Sequence, residues 1–574
     1  MAKEMRGGDF MFHETEAQDI FTPEDFTDEH KQMAETAERF VQEEIRPVNE
    51  RLEEKDFDLL VEKIRQCAGL GLMMADAPEE YGGLDLDKAA SMLISEKLAW
   101  SLNFGLSAMA HTGIGMLPLI YYGTAEQKKR YLQKLVTAEM IGCYCLTEPG
   151  SGSDALGART TATLAEDGSH YILNGTKQFI TNSGFADLFT VFAKVDKKHF
   201  TAFLVERTMP GLSLGPEEKK MGLHGSSTRQ VIFDSVPVPK ENILGEIGKG
   251  HKIAFNVLNV GRFKLGAACV GQVKFALAEG SRYANERKQF GVPIGGFGAI
   301  REKLADATAL AFASESVVYR LAGLLDGKLV ALDKKAADYY VKYQLGIEEF
   351  AAECALIKVF CTEVAARIIN DMLQVHGGYG YIAGHAVEQM YRDERVQRIY
   401  EGTNEINRLL VASRLLHAGL AAASAPAAAK PTAVTGPWAE QRQLLRGMKE
   451  CALLLAERAL RRFGKEINKE QEILLAFADM AVQIFALESA VLRAEKASGR
   501  ASAAKDGQYR AAVQLCAFSD RQDFIAAAEK CAVFLASQEL LPLIGEKTQL
   551  AAGDLLAAKR LLADAALQAE KYIF

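Results

Sequence analysis

Apolar residues recur at steps of three and four over the first 140 or so positions, as in Phe57, Leu60, Val61, Ile64 and Cys67, and again through LDKAASMLISEKLAWSL. That spacing predicts amphipathic helices. Between about 144 and 245 the pattern becomes short runs rich in β-branched and aromatic residues: SHYILNG, TKQFIT, DLFTVFAKV, HFTAFLVE and RQVIFDSVPVP. Turn residues separate these runs, so they predict strands, and Asn174-Gly175 reads as a hairpin turn. Helical spacing returns near 250 and lasts to about 417. The fold class is therefore mainly α with a central β domain: a helical N-terminal domain over 1–140, a β domain over 141–250 and a helical bundle over 251–417. Residues 418–437, AGLAAASAPAAAKPTAVTGP, have small side chains and no apolar period, which reads as a linker. A helical extension follows over 438–574.

Composition narrows the class. With 49% hydrophobic and 25% charged residues and only 14 Pro, the 574-residue chain is neither disordered nor collagen-like. The formal net charge of -8 argues against a protein built to wrap nucleic acid. The extension itself counts to about +1, so the acidic excess lies in the preceding residues. Nine scattered Cys, with Cys143 and Cys145 one residue apart, match neither a zinc knuckle nor a redox pair and read as reduced thiols. The N-terminus has no apolar h-region, and no stretch of about 18 uncharged apolar residues occurs. These features point to a cytoplasmic protein, not an integral membrane one.

Five segments carry candidate chemistry. In Tyr144-Cys145-Leu146-Thr147-Glu148-Pro149-Gly150-Ser151-Gly152-Ser153-Asp154, a hydroxyl- and glycine-rich loop follows an apolar strand, where N-H groups and the Thr147 and Ser153 hydroxyls can meet a polar ring or phosphate. An ordinary Gly/Ser turn is the simpler alternative. Phe179-Ile180-Thr181-Asn182-Ser183-Gly184 offers an aromatic wall and another hydroxyl at a strand end. Glu286-Arg287-Lys288-Gln289-Phe290-Gly291 presents an Arg fork suited to a diphosphate, or simply a solvated helix end. Gln374-Val375-His376-Gly377-Gly378-Tyr379-Gly380 allows close backbone approach to a ligand. His376 lacks a second ligand at helical spacing, so no metal is expected. In Arg398-Ile399-Tyr400-Glu401-Gly402-Thr403-Asn404-Glu405-Ile406, Glu401 precedes a helix for which Thr403 is the predicted N-cap. Glu401 either complements the helix dipole or serves as a general base.

These segments, in this order, resemble the acyl-CoA dehydrogenase family across about residues 25 to 417. Pro78-Glu79-Glu80-Tyr81-Gly82-Gly83 and Val236-Pro237-Val238-Pro239-Lys240-Glu241-Asn242-Ile243-Leu244-Gly245 extend the match. The length and the helical tail are most similar to the very-long-chain branch. The resemblance implies a helical N-domain, a β-barrel-like middle and a helical bundle, with FAD as cofactor. It implies that Tyr144, Leu146, Thr147 and Ser153 lie beside the flavin or the acyl-CoA, and that Phe179 and Thr181 flank the flavin. Arg287, Gln289, Phe290, Gln374, Gly377 and Gly378 would touch the adenosine diphosphate part across a subunit interface, with Thr403 and Glu405 completing the flavin site. Substrate contacts fall to Ser153, Asn259, Arg262, Tyr400 and Gly402.

Glu401 matches the family's catalytic base. Some members carry that base on a helix instead, at the position of Gly261 in Asn259-Val260-Gly261-Arg262, where this chain has no carboxylate. The family's thioester carbonyl accepts from the flavin ribityl hydroxyl and from the base's own N-H, here that of Glu401, and burial beside substrate should raise the carboxyl's pKa. Product is a trans-2-enoyl-CoA, and electrons pass to an electron-transferring flavoprotein. Small and apolar residues from Phe104 to Gly113, around Leu106 and Ala110, suggest a deep acyl slot for about 12 or more carbons; tight helix packing is the other explanation. The resemblance further implies a homodimer, with no nucleic-acid partner. In the tail, Arg442, Arg446, Lys449, Arg458, Arg461, Arg462 and Lys465 make a basic amphipathic helix that either touches the inner face of a membrane or stabilises the dimer. An acyl-CoA oxidase and a non-catalytic flavin-binding relative, DNA-associated or an assembly factor, are the alternatives.

Overall fold

The computed structural model describes residues 5–100, 103–422, 435–550 and 553–574. The chain forms two compact units: one holds Thr27–Gly271 and Lys328–Glu348, the other Met1–Phe26, Gln272–Gly327 and Glu349–Phe574. Packing thus groups the first 26 residues with the C-terminal helices, which no local sequence pattern indicates. The expected linker lies largely outside the described residues, and the helix before it, Asn404–Ala422, runs past residue 417.

In the β-containing unit the early helices start where side chains can satisfy the first free N-H groups. Thr27 accepts from the His30 N-H at 3.2 Å, Asp56 from Leu59 at 3.1 Å and Asp87 from Ala90 at 2.8 Å. Helices Asp28–Phe40, Phe57–Gly69 and Lys88–Leu98 bury Phe40, Leu60, Ile64 and Leu98 in one core with Phe104. Among the described residues the main sheet has eight strands: β1 (Gly142–Cys145), β2 (Thr161–Leu164), β3 (His170–Thr181), β4 (Leu188–Val195), β5 (His199–Glu206), β6 (Leu212–Leu214), β7 (Thr228–Pro239) and β8 (Ile243–Leu244). Their order is β6-β7-β3-β2-β4-β5-β8, with β1 parallel to β4. Phe189, Val191, Phe203, Val231 and Val236 fill its core.

Asn174-Gly175 is not a hairpin turn. It lies inside β3, at a register shift against β7 between Leu173 and Gly175, and the Asn174 Oδ1 accepts from the Ser235 N-H at 2.8 Å. Pairing with β7 on both sides of the dipeptide overrides its turn preference, and the extra residue of the bulge lies opposite it in β7, where Ser235 adopts φ 56°.

The helical unit is built from long helices, including Ala351–Val375, Asn404–Ala422 and the tail helices Ala439–Phe463, Gln471–Ser498 and Ala503–Phe534. Its two chain ends meet one buried polar cluster. Arg493 pairs with Glu315 at 2.7 Å and with Glu24 at 2.9 Å, and the Tyr572 hydroxyl donates to Glu315 at 2.6 Å. The positive face expected on Ala439–Phe463 is divided. Arg442 pairs with Glu495 at 2.8 Å, Arg446 with Glu14 at 2.5 Å and Lys449 with Glu488 at 2.5 Å, so these three charges face protein carboxylates.

Among the described residues four helical stretches are long and apolar enough to cross a bilayer: Phe104–Tyr122, Gly250–Glu286, Gly298–Leu329 and Gln471–Ser498. This departs from the sequence expectation: Phe104–Tyr122 carries no Asp, Glu, Lys or Arg, and in the other stretches a few charges do not prevent a span. Between 78% and 89% of each apolar window is buried inside the protein, which accounts for the composition as core. All nine cysteines are buried with free thiols.

Candidate active site

In the β-containing unit, β1 ends at Cys145 and delivers Leu146 and Thr147 into the glycine-rich loop. Tyr144 is buried, with its ring 5.1 Å from that of Phe192 and its hydroxyl donating to the Ala254 carbonyl at 3.4 Å. A reciprocal pair of backbone hydrogen bonds between Glu148 and Ser151, at 3.0 and 3.1 Å, closes the loop's turn. Beneath it the Glu148 carboxylate accepts from the N-H groups of Arg159 at 2.6 Å and Thr160 at 3.0 Å. Lys177, fully buried, donates to Glu148 at 2.7 Å and to the Leu146 carbonyl at 3.1 Å. Lysine paired with a carboxylate and a carbonyl thus fixes the loop from below, a role the sequence reading missed. Ser153 is exposed at its far end.

Phe179 owes its position to a defect in the sheet. The register of β3 against β7 shifts between Lys177 and Ile180, and Phe179 adopts φ 59° within that bulge. Its ring is consequently 62% exposed, although its neighbour Ile180 is buried. The Gln178 N-H donates to the Thr147 carbonyl at 2.8 Å, so the bulge and the glycine-rich loop are joined directly. Thr181 pairs with Thr228, and the next residue, Asn182, donates to the Ser107 carbonyl at 2.9 Å. Sequence-predicted residues Leu146, Thr147, Phe179 and Thr181 therefore share one structural neighbourhood.

The segment proposed to line the acyl chain folds as the helix Phe104–Ala110 followed by a wide turn, His111–Gly115. A side chain at Gly105 would come within 2.8 Å of the Leu98 carbonyl, and one at Gly115 within 2.8 Å of that of Gly142. Close packing thus explains these two glycines. At Gly113 the nearest atom would be Lys264 Cδ at 3.8 Å, an ordinary van der Waals contact, so this glycine is not forced by packing. Asn259 and Arg262 are buried on one helix, with the guanidinium donating to the Asn259 Oδ1 at 2.9 Å. The amide of Asn259 is thereby oriented by Arg262.

The helical unit carries the remaining residues in two places. In the first, Lys288–Gln289 and Val292–Pro293 pair as a small hairpin, with Phe290 at φ 53° and Gly291 at φ 85° at its tip. Arg287, Gln289, Gly377 and Gly378 line a single cavity of about 450 Å³ together with Tyr283, His376 and Tyr379. His376 stacks on Tyr283 with centroids 4.2 Å apart, and its Nδ1 is 2.7 Å from the Met372 carbonyl. Side chains added at Gly377 and Gly378 would meet nothing within 4 Å, so open space lies above this backbone. A guanidinium, an amide, aromatic faces and accessible backbone form a donor set that fits a nucleotide diphosphate. Gln374 stands exposed on the preceding helical turn and Phe290 is 93% exposed; neither lines the cavity.

The second place is the Glu401 turn. Glu401 has φ 56° and Gly402 φ 78°, two successive left-handed residues just before the helix Asn404–Ala422. For a non-glycine this conformation costs about 1–2 kcal/mol, so the surroundings must hold it. Asn407 supplies part of the hold: its Nδ2 lies 3.3, 2.8 and 3.0 Å from the carbonyl oxygens of Glu401, Gly402 and Thr403. Lys358, fully buried, adds a bond to the Gly402 carbonyl at 2.8 Å and one to the Asn404 Oδ1 at 2.7 Å. Thr403 caps the helix as expected, accepting from the Ile406 N-H at 3.3 Å. Glu405 is exposed in the first turn, where its own backbone N-H holds its carboxyl below the usual range. Lys358 and Asn407 were not singled out from the sequence. The one signal for Lys358 is a charge interrupting the apolar run ALIKVF.

Family models described as acyl-CoA dehydrogenase N-terminal, middle and C-terminal domains match residues 27–139, 143–236 and 248–416. The chain belongs to the acyl-CoA dehydrogenase family. A further acyl-CoA dehydrogenase C-terminal model matches residues 447–536, inside the helical extension. A probable acyl-CoA dehydrogenase of Bacillus subtilis is 43% identical across 99% of this chain and 98% of its own length. The very long-chain specific acyl-CoA dehydrogenase of Homo sapiens is 38% identical across 67% of this chain and 57% of its own length. A crystal structure of an acyl-CoA dehydrogenase complexed with FAD from Bacillus anthracis superposes with a TM-score of 0.96 at 42% identity, covering 99% of this chain and all of that one. The acyl-CoA dehydrogenase fold thus extends through the tail helices.

Proposed function

We propose that the chain catalyses FAD-dependent α,β-dehydrogenation of long-chain acyl-CoA thioesters, giving trans-2-enoyl-CoA, with Glu401 as the base. The observation that carries this reading is the Glu401 turn: a carboxylate residue kept in a costly left-handed conformation by Asn407 and Lys358. Strain maintained by buried polar groups is expected where one side chain must meet a reacting atom. The nucleotide-fitting cavity at Arg287 and the exposed Phe179 ring beside Thr147 support FAD as cofactor.

Bound FAD supplies a two-electron acceptor for the hydride that leaves Cβ. The Glu401 carboxylate takes the α-proton, and the electron pair left on the thioester forms the new double bond as the hydride departs. With FAD bound, Thr147 and the backbone around Leu146 would orient the ring system, and Phe179 would cover it from solvent. Asn259, oriented by Arg262, is available to the polar arm of the thioester. The very-long-chain relative supports a long acyl chain as substrate. An electron-transferring flavoprotein is the proposed acceptor for the stored electrons. The 93% exposed Phe290 and 86% exposed Tyr381 fit burial against a second copy of the chain.

Anaerobic bleaching of the flavin band by a series of saturated acyl-CoAs tests cofactor, reaction and chain length together. Long chains should bleach most, and a maximum at butyryl-CoA would overturn the length assignment. Glu401→Gln should retain FAD and lose roughly 10²- to 10⁴-fold in turnover. Near-normal turnover by that variant would remove Glu401 from the mechanism.

A further inference from the structure

The Glu401 turn is connected to the C-terminal extension by an unbroken series of polar contacts. Lys358 donates to the Gly402 carbonyl at 2.8 Å and to the Asn404 Oδ1 at 2.7 Å. The same Asn404 side chain donates from Nδ2 to the Glu363 Oε1 at 3.1 Å. Both Glu363 oxygens then meet the Arg408 fork, at 2.8 Å each. Finally the Arg408 Nε donates to the Asp479 Oδ1 at 2.6 Å, and Asp479 belongs to the tail helix Gln471–Ser498.

Each link restricts the next. A bidentate guanidinium–carboxylate pair fixes the plane of both groups, so Arg408 sets the Glu363 carboxylate that orients the Asn404 amide. With its Nδ2 so directed, Asn404 presents Oδ1 to Lys358, whose other bond closes on the carbonyl directly after Glu401. Asp479 engages the remaining edge of Arg408. A tail serving only to cover an apolar face would need no carboxylate at this point.

We propose that the C-terminal extension is a positioning element for catalysis: Asp479, through Arg408, Glu363, Asn404 and Lys358, holds the left-handed turn that presents Glu401. The proposal rests on Glu401 being the base. Asp479, Arg408 and Lys358 act on Glu401 through other groups and are positioning residues.

The test uses the full-length holoenzyme with its FAD. Asp479→Ala and Arg408→Met should each lower kcat by about 2- to 30-fold while KM for the acyl-CoA changes less than about twofold. Hydrogen exchange of the backbone amides in residues 399–407 should accelerate in both variants, whereas peptides from β1 to β5 exchange as before. Asp479→Glu and Arg408→Lys should restore part of the exchange protection and of kcat. Lys358→Met should show the larger effect, and adding Asp479→Ala to it should cost little more, since both act on one series. Unchanged kcat and unchanged exchange at 399–407 in Asp479→Ala would overturn the proposal, as would full additivity with Lys358→Met. Glu401→Gln separates the two readings: if it keeps turnover the base assignment fails, while the exchange measurements still decide whether the tail holds the turn.

Discussion

Lys177 in the β-containing unit and Lys358 in the helical unit are both fully buried, and each donates to the carbonyl of a loop assigned to catalysis. The contact is to Leu146 at 3.1 Å in one case and to Gly402 at 2.8 Å in the other. Their second contacts differ. Lys177 meets the Glu148 carboxylate at 2.7 Å, whereas Lys358 meets the amide oxygen of Asn404 at 2.7 Å. A buried ion pair clamps its loop as a fixed part of the sheet, with each charge depending on the other. An amide relay passes orientation onward to Glu363 and Arg408 and can be adjusted from a distance. The loop proposed to cradle the cofactor is thus anchored locally, and the loop bearing the proposed base is anchored through a series of partners.

Lys177→Met should break this contrast most severely. Removing one member of a buried pair costs about 3–5 kcal/mol, so denaturant unfolding should show a loss of that size, well beyond that of Lys358→Met. Equal losses would mean the two anchors are alike.

Glu353, on the same helix as Lys358, sharpens the comparison by pH. Its buried carboxylate accepts the Gly8 N-H at 2.6 Å, and burial pushes its pKa from 4.5 up to about 7. The folded protein then holds a proton that the unfolded chain releases between those values. This group's stabilising contribution is full below the unfolded pKa and is lost as pH rises toward 7. Glu353→Gln should remove that slope, gaining on the wild type by an amount approaching roughly 3 kcal/mol above neutrality. Parallel stability curves for the two proteins from pH 4.5 to 8 would refute this.

Smaller effects should follow from relieving the two left-handed residues. Glu401→Gly and Phe179→Gly each remove a strained φ, at 56° and 59°, and should stabilise the apoprotein by about 0.5–1 kcal/mol by calorimetry. The functional outcomes should part: Glu401→Gly abolishes turnover with FAD retained, while Phe179→Gly weakens FAD retention on dilution. A stabilisation at one site only would show that the strain is not backbone in origin.

Local rules made the ends of elements legible. Thr403 caps its helix and the runs around 188–206 form strands, because capping and β-branched, aromatic composition are properties of neighbouring residues. Motif order singled out Thr147, Phe179, Arg287, Gly377 and Glu401 as candidate site residues. What the sequence withheld depends on partners far along the chain. Phe179 is turned outward where β3 carries an extra residue against β7, and Asn174-Gly175 stays in strand where β7 carries an extra residue against β3. Lys177, Lys358 and Asn407 are recognisable only once the carbonyls they hold are placed. The apolar stretches long enough for a bilayer became interior helices because four-fifths or so of each window found protein neighbours.

One feature of the helical unit also constrains how it is made. Arg493 is shared by Glu24 and, through Glu315, by Tyr572, so residues almost 550 positions apart complete a single cluster. At a translation rate of about 5–20 residues per second, Glu24 emerges roughly half a minute to two minutes before Tyr572 does. Until Arg493 emerges, the early acidic segment lacks the counter-ion it pairs with, while the β-containing unit, nearly continuous in sequence, is free to form. The order of synthesis therefore lets the β-containing unit form before the helical unit has the partners of its Glu24–Arg493–Glu315 cluster.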